Sequence, residues 1–335
     1  MNNSFPLISI LTPIYNVERY IERCVKSLME QTYSNLEFVF VNDCTPDNSM
    51  NILKSVLAKY PYRENQIKII NHPKNQGVAV ARNTLLANAT GDYLLWVDAD
   101  DWIEEKTTKI LAEIAYRTNA DVICFGAIRH TRNEVAPYMW KVENNNHEFI
   151  YDLLGRRTHN TLWGRMFKHS LFQERNIRFI ENINLGEDLL VLLKFVYYSN
   201  NVVSCSETLY HYDYTNNNSL TKTITVKDII ASLKLYDIIE DFFQNRLNIS
   251  SFLSVKRLDA YLLLIYNACI DGNKEYFYNL QAKVISLKTV SKPTINKWYH
   301  FYMLCYNYYS CWLWTRIIYF IKKLRNLMHR LLFCL

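Results

Sequence analysis

The apolar run Tyr93-Leu94-Leu95-Trp96-Val97 stops abruptly at Asp98-Ala99-Asp100-Asp101, so three carboxylates crowd onto one turn. Charges of one sign that close repel unless a cation or donor groups offset them, and hard oxygen ligands suit Mg²⁺ or Mn²⁺ holding a phosphate. A plainer reading stands beside it: Asp favours helix caps and turns, so Asp101 would cap the following helix and the other two would be solvated. An Asp-x-Asp alone is a weak motif, and its weight depends on what else reaches the same place. Asp43, just after the strand-like Leu36 to Val41, and Arg82, near the start of a helical segment, are the other candidates.

The elements that would position these residues follow from periodicity. Leu7 to Asn16 reads as a strand ending in a Pro-punctuated turn, and Glu18 to Gln31 carries helical spacing through Ile21, Val25 and Leu28. Leu36 to Val41 is a second strand, followed by the loop Asn42 to Ser49 and a helix through about Tyr60. A third strand at Ile67 to Ile70, the turn Asn71 to Gly77 and a helix from Val78 to Asn88 come next. Tyr93 to Val97 is the central strand, Trp102 begins a helix that runs from about Ile103 to Tyr116, and Asp121 to Ile128 is a fifth strand. Strands alternating with helices imply an α/β fold with a largely parallel, three-layer sheet, whose ligands bind at the carboxyl ends of the strands. Asp43, Arg82 and the Asp98 cluster then converge on one rim, as a nucleoside-diphosphate site requires.

Composition bounds the rest. The 335 residues are 50% hydrophobic, enough for a sizeable core. The 8 cysteines form no CxxC pair, which argues against a zinc ribbon or redox motif and suits free thiols in a reducing compartment. Pro6 and Pro13 interrupt the apolar N-terminus, so the expectation is a cytoplasmic protein without a cleaved export signal. The net charge is +6, yet nine lysines and arginines and no acid follow Glu275, which leaves the preceding residues at −3. The basic end and the body therefore need separate accounts.

Four motifs carry a family resemblance: Ser9-Ile10-Leu11-Thr12-Pro13-Ile14-Tyr15-Asn16, Val41-Asn42-Asp43-Cys44-Thr45-Pro46-Asp47-Asn48-Ser49, Asn75-Gln76-Gly77-Val78-Ala79-Val80-Ala81-Arg82-Asn83 and Gly91 to Asp101. Gly186-Glu187-Asp188-Leu189-Leu190, preceded by Thr161-Leu162-Trp163-Gly164-Arg165-Met166-Phe167-Lys168, is a fifth. In this order and spacing they resemble inverting family 2 glycosyltransferases of the GT-A fold, bacterial polysaccharide type, over roughly residues 5 to 220. The resemblance implies that Thr12, Pro13 and Tyr15 hold the base and ribose, that Asp43 accepts the uracil imide N–H, and that Arg82 reaches the nucleotide or diphosphate. Asp98 and Asp100 would form the metal motif for Mn²⁺ or Mg²⁺, with Asp100 the more direct ligand. Many relatives carry Asp-Asp-Gly-Ser-Thr-Asp where this chain has Asn42-Asp43-Cys44-Thr45-Pro46-Asp47, so Cys44 replaces a glycine and the loop backbone is expected to differ. Asp188 is the candidate general base, with Glu187 orienting it or binding the acceptor; the alternative is that both acids simply open a helix whose dipole they suit.

His211, in Tyr210-His211-Tyr212-Asp213-Tyr214, would touch the metal or the acceptor, or else pack within an aromatic strand. Trp163 and the Arg156-Arg157 pair would line an acceptor groove, because rings stack on sugars and arginines meet phosphate, or serve as ordinary packing and surface charge. Asn216-Asn217-Asn218-Ser219 reads as a mobile loop closing over the donor. The domain division expected is a GT-A domain over 1–225 and a helical extension over 226–335. The extension ends in a segment with Ile317, Ile321, Leu324, Met328 and Leu331 on one helical face and Lys322, Lys323, Asn326, His329 and Arg330 on the other. That make-up suits an anionic membrane surface at the cytoplasmic face of the inner membrane, or a packed helix with its lysines in water. Nothing resembles a nucleic-acid module. The reaction implied is transfer from a UDP-sugar to a growing glycan or lipid-linked acceptor, in capsule or lipopolysaccharide assembly. A non-catalytic nucleotide-sugar-binding or scaffold protein is the alternative.

Overall fold

The computed structural model describes residues 5–139, 145–183, 186–216, 224–287, 308–311 and 313. The chain separates into two compact units, Met1–Thr223 and Ile224–Leu335. In the first, the strands are β1 (Ile8–Ile14), β2 (Leu36–Asn42), β3 (Ile67–Asn71), β4 (Tyr93–Trp96), β5 (Trp102–Ile103), β6 (Val122–His130), β7 (Val135–Tyr138), β8 (Arg165–Lys168) and β9 (Val202–Asp213). Between them lie helices α1 (Ile21–Met29), α2 (Ser49–Leu57), α3 (Val78–Asn88), α4 (Thr107–Thr118), α5 (Asn146–Leu154), α6 (His169–Glu174) and α7 (Glu187–Tyr198).

One sheet runs in the order β3-β2-β1-β4-β8-β6-β9-β5, with β7 paired to β6. From β3 to β4 every pairing is parallel. β1, β2 and β4 are near-continuous apolar runs because helices cover both of their faces. The other half is mixed: β8 is antiparallel to β4 and β6, β9 is parallel to β6, and β7 and β5 are antiparallel to their partners. The β6–β7 link is a short turn closed by Thr131 N–H donating to Glu134 O at 2.8 Å, and such a hairpin forces antiparallel pairing.

The helices bury the stripes their periodicity dictates; α1, for example, buries Ile21, Cys24, Val25, Leu28 and Met29. α4 begins later than expected. Trp102 and Ile103 first form β5 against His211 and Tyr210, Glu104 N–H donates to Leu209 O at 3.0 Å, and the helix starts at Thr107. Gly91 is where β4 enters against β1, and a Cβ there would lie 2.6 Å from Ser9 Oγ and 2.7 Å from Ser9 N. The same Ser9 hydroxyl donates at 2.5 Å to the buried Glu37, which also accepts from Thr90 N–H (2.8 Å) and pairs with Lys68 (2.6 Å).

The second unit contains α8 (Val226–Phe243), α9 (Ser250–Asp271) and α10 (Lys274–Leu287) around a core that includes Leu264, Ile265, Cys269, Phe277 and Cys311. Thr225 and Asp228 form a reciprocal capping box on α8, and Gly272, at φ 73°, ends α9 in the left-handed conformation. No helix among the described residues is long and apolar enough to cross a membrane. The amphipathic segment around Ile317 to Leu331 and residues 217–219 of the Asn-rich tract lie outside the described residues.

Candidate active site

The turn after β4 gives its three acids three environments. Asp101 is fully buried: Tyr210 Oη donates to Oδ2 at 2.6 Å and Asp213 N–H donates to Oδ1 at 2.8 Å. Tyr210 Oη also accepts from Asp98 N–H at 3.2 Å, so one buried phenol fixes both ends of the turn to β9. Asp101 therefore fastens the turn to the sheet. Burial, then Asp100 and Asp98, push its carboxyl well above the usual range. Asp100 accepts from Asn216 Nδ2 at 2.8 Å, and burial followed by the Asp98 charge pushes it up to about 6. Asp98 is the open one, its side chain 29% exposed and 3.5 Å from Arg82.

Arg82 is the hub of the buried charges. Its Nη1 donates to Glu187 Oε1 at 2.5 Å and to Asp188 Oδ1, which fixes α3 to the start of α7. Three acids around it hold its charge firmly, against burial. The resemblance expects this guanidinium at the nucleotide or diphosphate; in the structure it is buried and engaged by the α7 acids. Asn83 helps keep it there, its amide bridging both backbone groups of Phe179 at 2.9 Å, and the Phe179 ring lies 5.7 Å from the guanidinium. Gly186 at φ 84° turns the chain so that Glu187 and Asp188 open α7. Burial raises both carboxyls, Asp188 well above its ordinary value, with Arg82 opposing, and Leu162 N–H also donates to Asp188.

On the parallel half, Asp43 is buried and accepts from His72 Nδ1 at 2.7 Å, Gln76 N–H at 2.9 Å and Gly77 N–H at 2.8 Å. A carboxylate has about four acceptor positions, so one remains. Cys44 takes the left-handed backbone, at φ 56°, which a glycine would adopt freely and a residue with a Cβ adopts at some strain. Asp47 fastens this loop to the first by accepting from Thr45 Oγ1 (2.7 Å), Ser49 Oγ (2.6 Å) and Glu18 N–H (2.8 Å). Tyr15 is 47% exposed and Pro13 partly so, whereas Thr12 is fully buried with its hydroxyl unbonded. Thr12 accordingly packs inside the sheet and presents no surface to a nucleotide.

Of the two readings open for His211 and Trp163, the contacts seen are those of aromatic packing. His211 bonds His130 through Nδ1 (2.9 Å) and Glu104 through Nε2 (2.6 Å), and stacks on Trp102 at 4.7 Å; neither nitrogen is left for a metal. Trp163 is 5% exposed and stacked between neighbours that include Tyr210 and Tyr212, so it supports the site from beneath. Arg157 is paired with Asp152 at 2.5 Å, and Arg156 is exposed. Sequence reasoning missed Arg23, which covers the Trp102 ring at 3.5 Å and pairs with Asp213 at 2.6 Å. It also gave no role to Tyr210, for which the tyrosine alternation at the end of β9 was the signal.

Among the described residues no group of three or more His, Cys, Asp or Glu side chains is arranged to hold a metal ion. The donor set still fits a hard divalent cation. Of the three acids on the turn, Asp98 meets only Arg82, at 3.5 Å, and Asp100 accepts from the Asn216 amide, while burial and the neighbouring Asp98 charge raise the Asp100 carboxyl.

The family model for glycosyl transferase family 2 matches residues 9–178, half of the chain, and the chain belongs to this family. The uncharacterized glycosyltransferase EpsJ of Bacillus subtilis is 33% identical over 226 residues, 65% of this chain and 63% of that one, so the match spans under two thirds of the relative's length. The crystal structure of Staphylococcus aureus TarS residues 1–349 in complex with UDP-GlcNAc superposes with a TM-score of 0.65 at 20% identity, over 85% of this chain and 81% of that one. The mannosyltransferase PcManGT of Pyrobaculum calidifontis, in complex with GDP-Man and Mn²⁺, superposes with a TM-score of 0.52 at 16% identity, over 85% and 87%. The fold is thus the mixed α/β fold of these GT-A structures.

Proposed function

We propose that the chain transfers a sugar from a UDP-linked donor to a saccharide acceptor with inversion at the anomeric carbon, Asp188 acting as general base. The observation that carries this reading is the single buried cluster in which Arg82 joins Asp188 and Glu187 to Asp98 of the acid turn. Base and metal motif thereby share one place.

In the reaction, the acceptor oxygen attacks the anomeric carbon as the bond to the diphosphate breaks. The leaving oxygen takes that electron pair, and Asp188 takes the acceptor proton. Burial raises the Asp188 carboxyl, which makes it a stronger base toward the acceptor proton. Arg82 and Leu162 N–H keep one carboxylate orientation, and Glu187 completes the pairing. Asp98 and Asp100 would hold Mn²⁺ or Mg²⁺, which offsets the negative charge that builds on the leaving diphosphate. Asp43 offers its remaining lone pair to the uracil imide N–H, and Tyr15 and Pro13 face the base and ribose. UDP-GlcNAc in TarS supports a UDP donor, and Mn²⁺ in the mannosyltransferase supports the metal. Assembly of a capsule, lipopolysaccharide or related glycan on a lipid-linked acceptor, with the basic C-terminal segment on the membrane, is the setting proposed.

The test is a donor screen: UDP-, GDP- and dTDP-sugars with Mn²⁺, read by thermal shift and nucleotide release, with Asp100→Ala and Asp188→Asn beside the wild type. Metal-dependent stabilisation by one UDP-sugar, lost in Asp100→Ala, and release lost in Asp188→Asn are expected. No response to any nucleotide sugar would overturn the reading and favour a scaffold role.

A further inference from the structure

The C-terminal end of β9 carries tyrosines at alternate positions, so Tyr210 and Tyr212 point to one face of the sheet, and Tyr214 follows just beyond the strand. Tyr210 and Tyr212 both stack on Trp163, with centroids 4.9 Å away in each case and interplanar angles of 7° and 26°. The Tyr214 ring meets Tyr212 edge-on at 5.9 Å and 69°. Backbone pairing fixes the outermost ring, because Tyr214 N–H donates to His130 O at 2.8 Å. The three rings pass from core to solvent: Tyr210 is fully buried, Tyr212 partly buried, and Tyr214 48% exposed.

This ladder starts at the reaction centre. Its inner ring is the phenol that fixes Asp101 and Asp98, and the Trp163 beneath it follows Leu162, whose N–H donates to Asp188. The charges of Asp101, Asp100 and Asp98, after burial, hold the Tyr212 phenol above its usual range, so at neutral pH it keeps its proton to donate. Rigid aromatic faces beside hydroxyl donors suit a pyranose, which has an apolar C–H face and a polar rim.

We infer that Tyr212 and Tyr214 form the stacking surface for a pyranose ring of the acceptor, with Trp163 as its buried support. This rests on the glycosyltransferase reading above and adds the acceptor side to it. Tyr214 is the residue to vary, since its exposure lets the fold tolerate truncation.

The experiment is saturation-transfer difference NMR on the full chain with UDP and Mg²⁺ and a panel of methyl β-glycosides of glucose, galactose, N-acetylglucosamine and N-acetylgalactosamine. In the wild type, saturation is expected at the H1, H3 and H5 protons of at least one glycoside, the face that stacks. Tyr214→Ala should reduce it about three- to tenfold, in line with the strength of a single aromatic contact, and Tyr214→Phe should retain it. Equal saturation in the wild type and Tyr214→Ala overturns the inference, as does the absence of saccharide saturation in the wild type. The UDP H5 and H6 signals report the donor site independently. Their absence beside intact, Tyr214-dependent saccharide signals would refute the UDP reading and leave the stacking surface standing.

Discussion

Arg82→Met is the sharpest test of the buried charge cluster. Methionine fills much of the same volume without charge, so the change leaves Glu187 and Asp188 buried with their shared partner removed. Breaking a buried pair from one side costs about 3–5 kcal/mol. Protonation of one carboxylate caps that penalty. Neutralising an acid of ordinary pKa about 4 costs about 1.4 kcal/mol per pH unit above that value, which is about 5 kcal/mol at pH 7.5 and about 2 kcal/mol at pH 5.5. The sign follows from linkage. In the variant these folded-state carboxyls lie above their unfolded values, so the folded state binds the extra proton. Stability is then gained as pH falls toward the unfolded values and lost as pH rises through the folded ones. Urea unfolding of wild type and variant at pH 5.5, 6.5 and 7.5, followed by tryptophan fluorescence, reads the difference. It should shrink steadily on acidification. A loss under about 1 kcal/mol at pH 7.5, the size of an exposed pair, or a loss that grows as pH falls would refute this account of the cluster.

Gly91→Ala should lower the urea midpoint by about 1–3 kcal/mol in stability or more, because the new Cβ meets Ser9 N at 2.7 Å and Leu7 O at 2.9 Å, backbone atoms that cannot swing away; an unchanged midpoint would show that β4 can shift. Tyr210→Phe keeps the ring on Trp163 but removes the hydroxyl from Asp101 and Asp98, with an expected cost of about 1–3 kcal/mol and weaker metal-dependent binding of nucleotide sugar by calorimetry. Wild-type values on both counts would separate that hydroxyl from the acid turn. Because Asp100 is pushed up to about 6 and a protonated carboxyl ligates poorly, Mg²⁺-dependent binding should weaken below about pH 6; a flat profile from pH 7.5 to 5 would exclude Asp100 as a ligand.

The parallel half of the sheet was legible because strands covered on both faces are written as unbroken apolar runs, and α3 falls on Val78–Asn88 as its spacing predicts. The mixed half was not. β5 is two residues long and exists only through β9, more than 100 residues later, so Trp102 carries no local sign that the helix must wait until Thr107. Arg82 shows the same limit at the site: its partners lie 105 and 106 residues away, and a guanidinium reads alike whether it meets a phosphate or a carboxylate. His211 and Trp163 each kept two readings, ligand or packing, because aromatic strands look the same outside and inside; the stacks they form depend on Trp102, Tyr210 and Tyr212 being brought together. The acid motif itself was visible, yet the division among its members was not, since only the register of β9 makes Asp101 the fastening.

That division follows the change of strand direction in the sheet. β4 is the last strand of the parallel half, and β8 enters beside it antiparallel, so the turn after β4 stands at the seam. On one side are the end of β1, which carries Pro13, the loops after β1 and β2, which carry Tyr15 and Asp43, and the start of α3. On the other are α7, the segment before β8 and the end of β9, which carry Asp188, Leu162 and the tyrosines. Arg82 crosses the seam from α3 to α7, and Tyr210 crosses it from β9 to the acid turn. On the proposed reading, donor recognition belongs to the parallel half and acceptor recognition to the mixed half. A seam held by buried ionic and phenolic contacts keeps the base and the leaving group at a fixed separation while the surfaces on either side differ. Substitutions at Tyr15 or Asp43 should therefore change the KM for donor, those at Tyr214 the KM for acceptor, and only those at the seam should lower kcat with both substrates saturating.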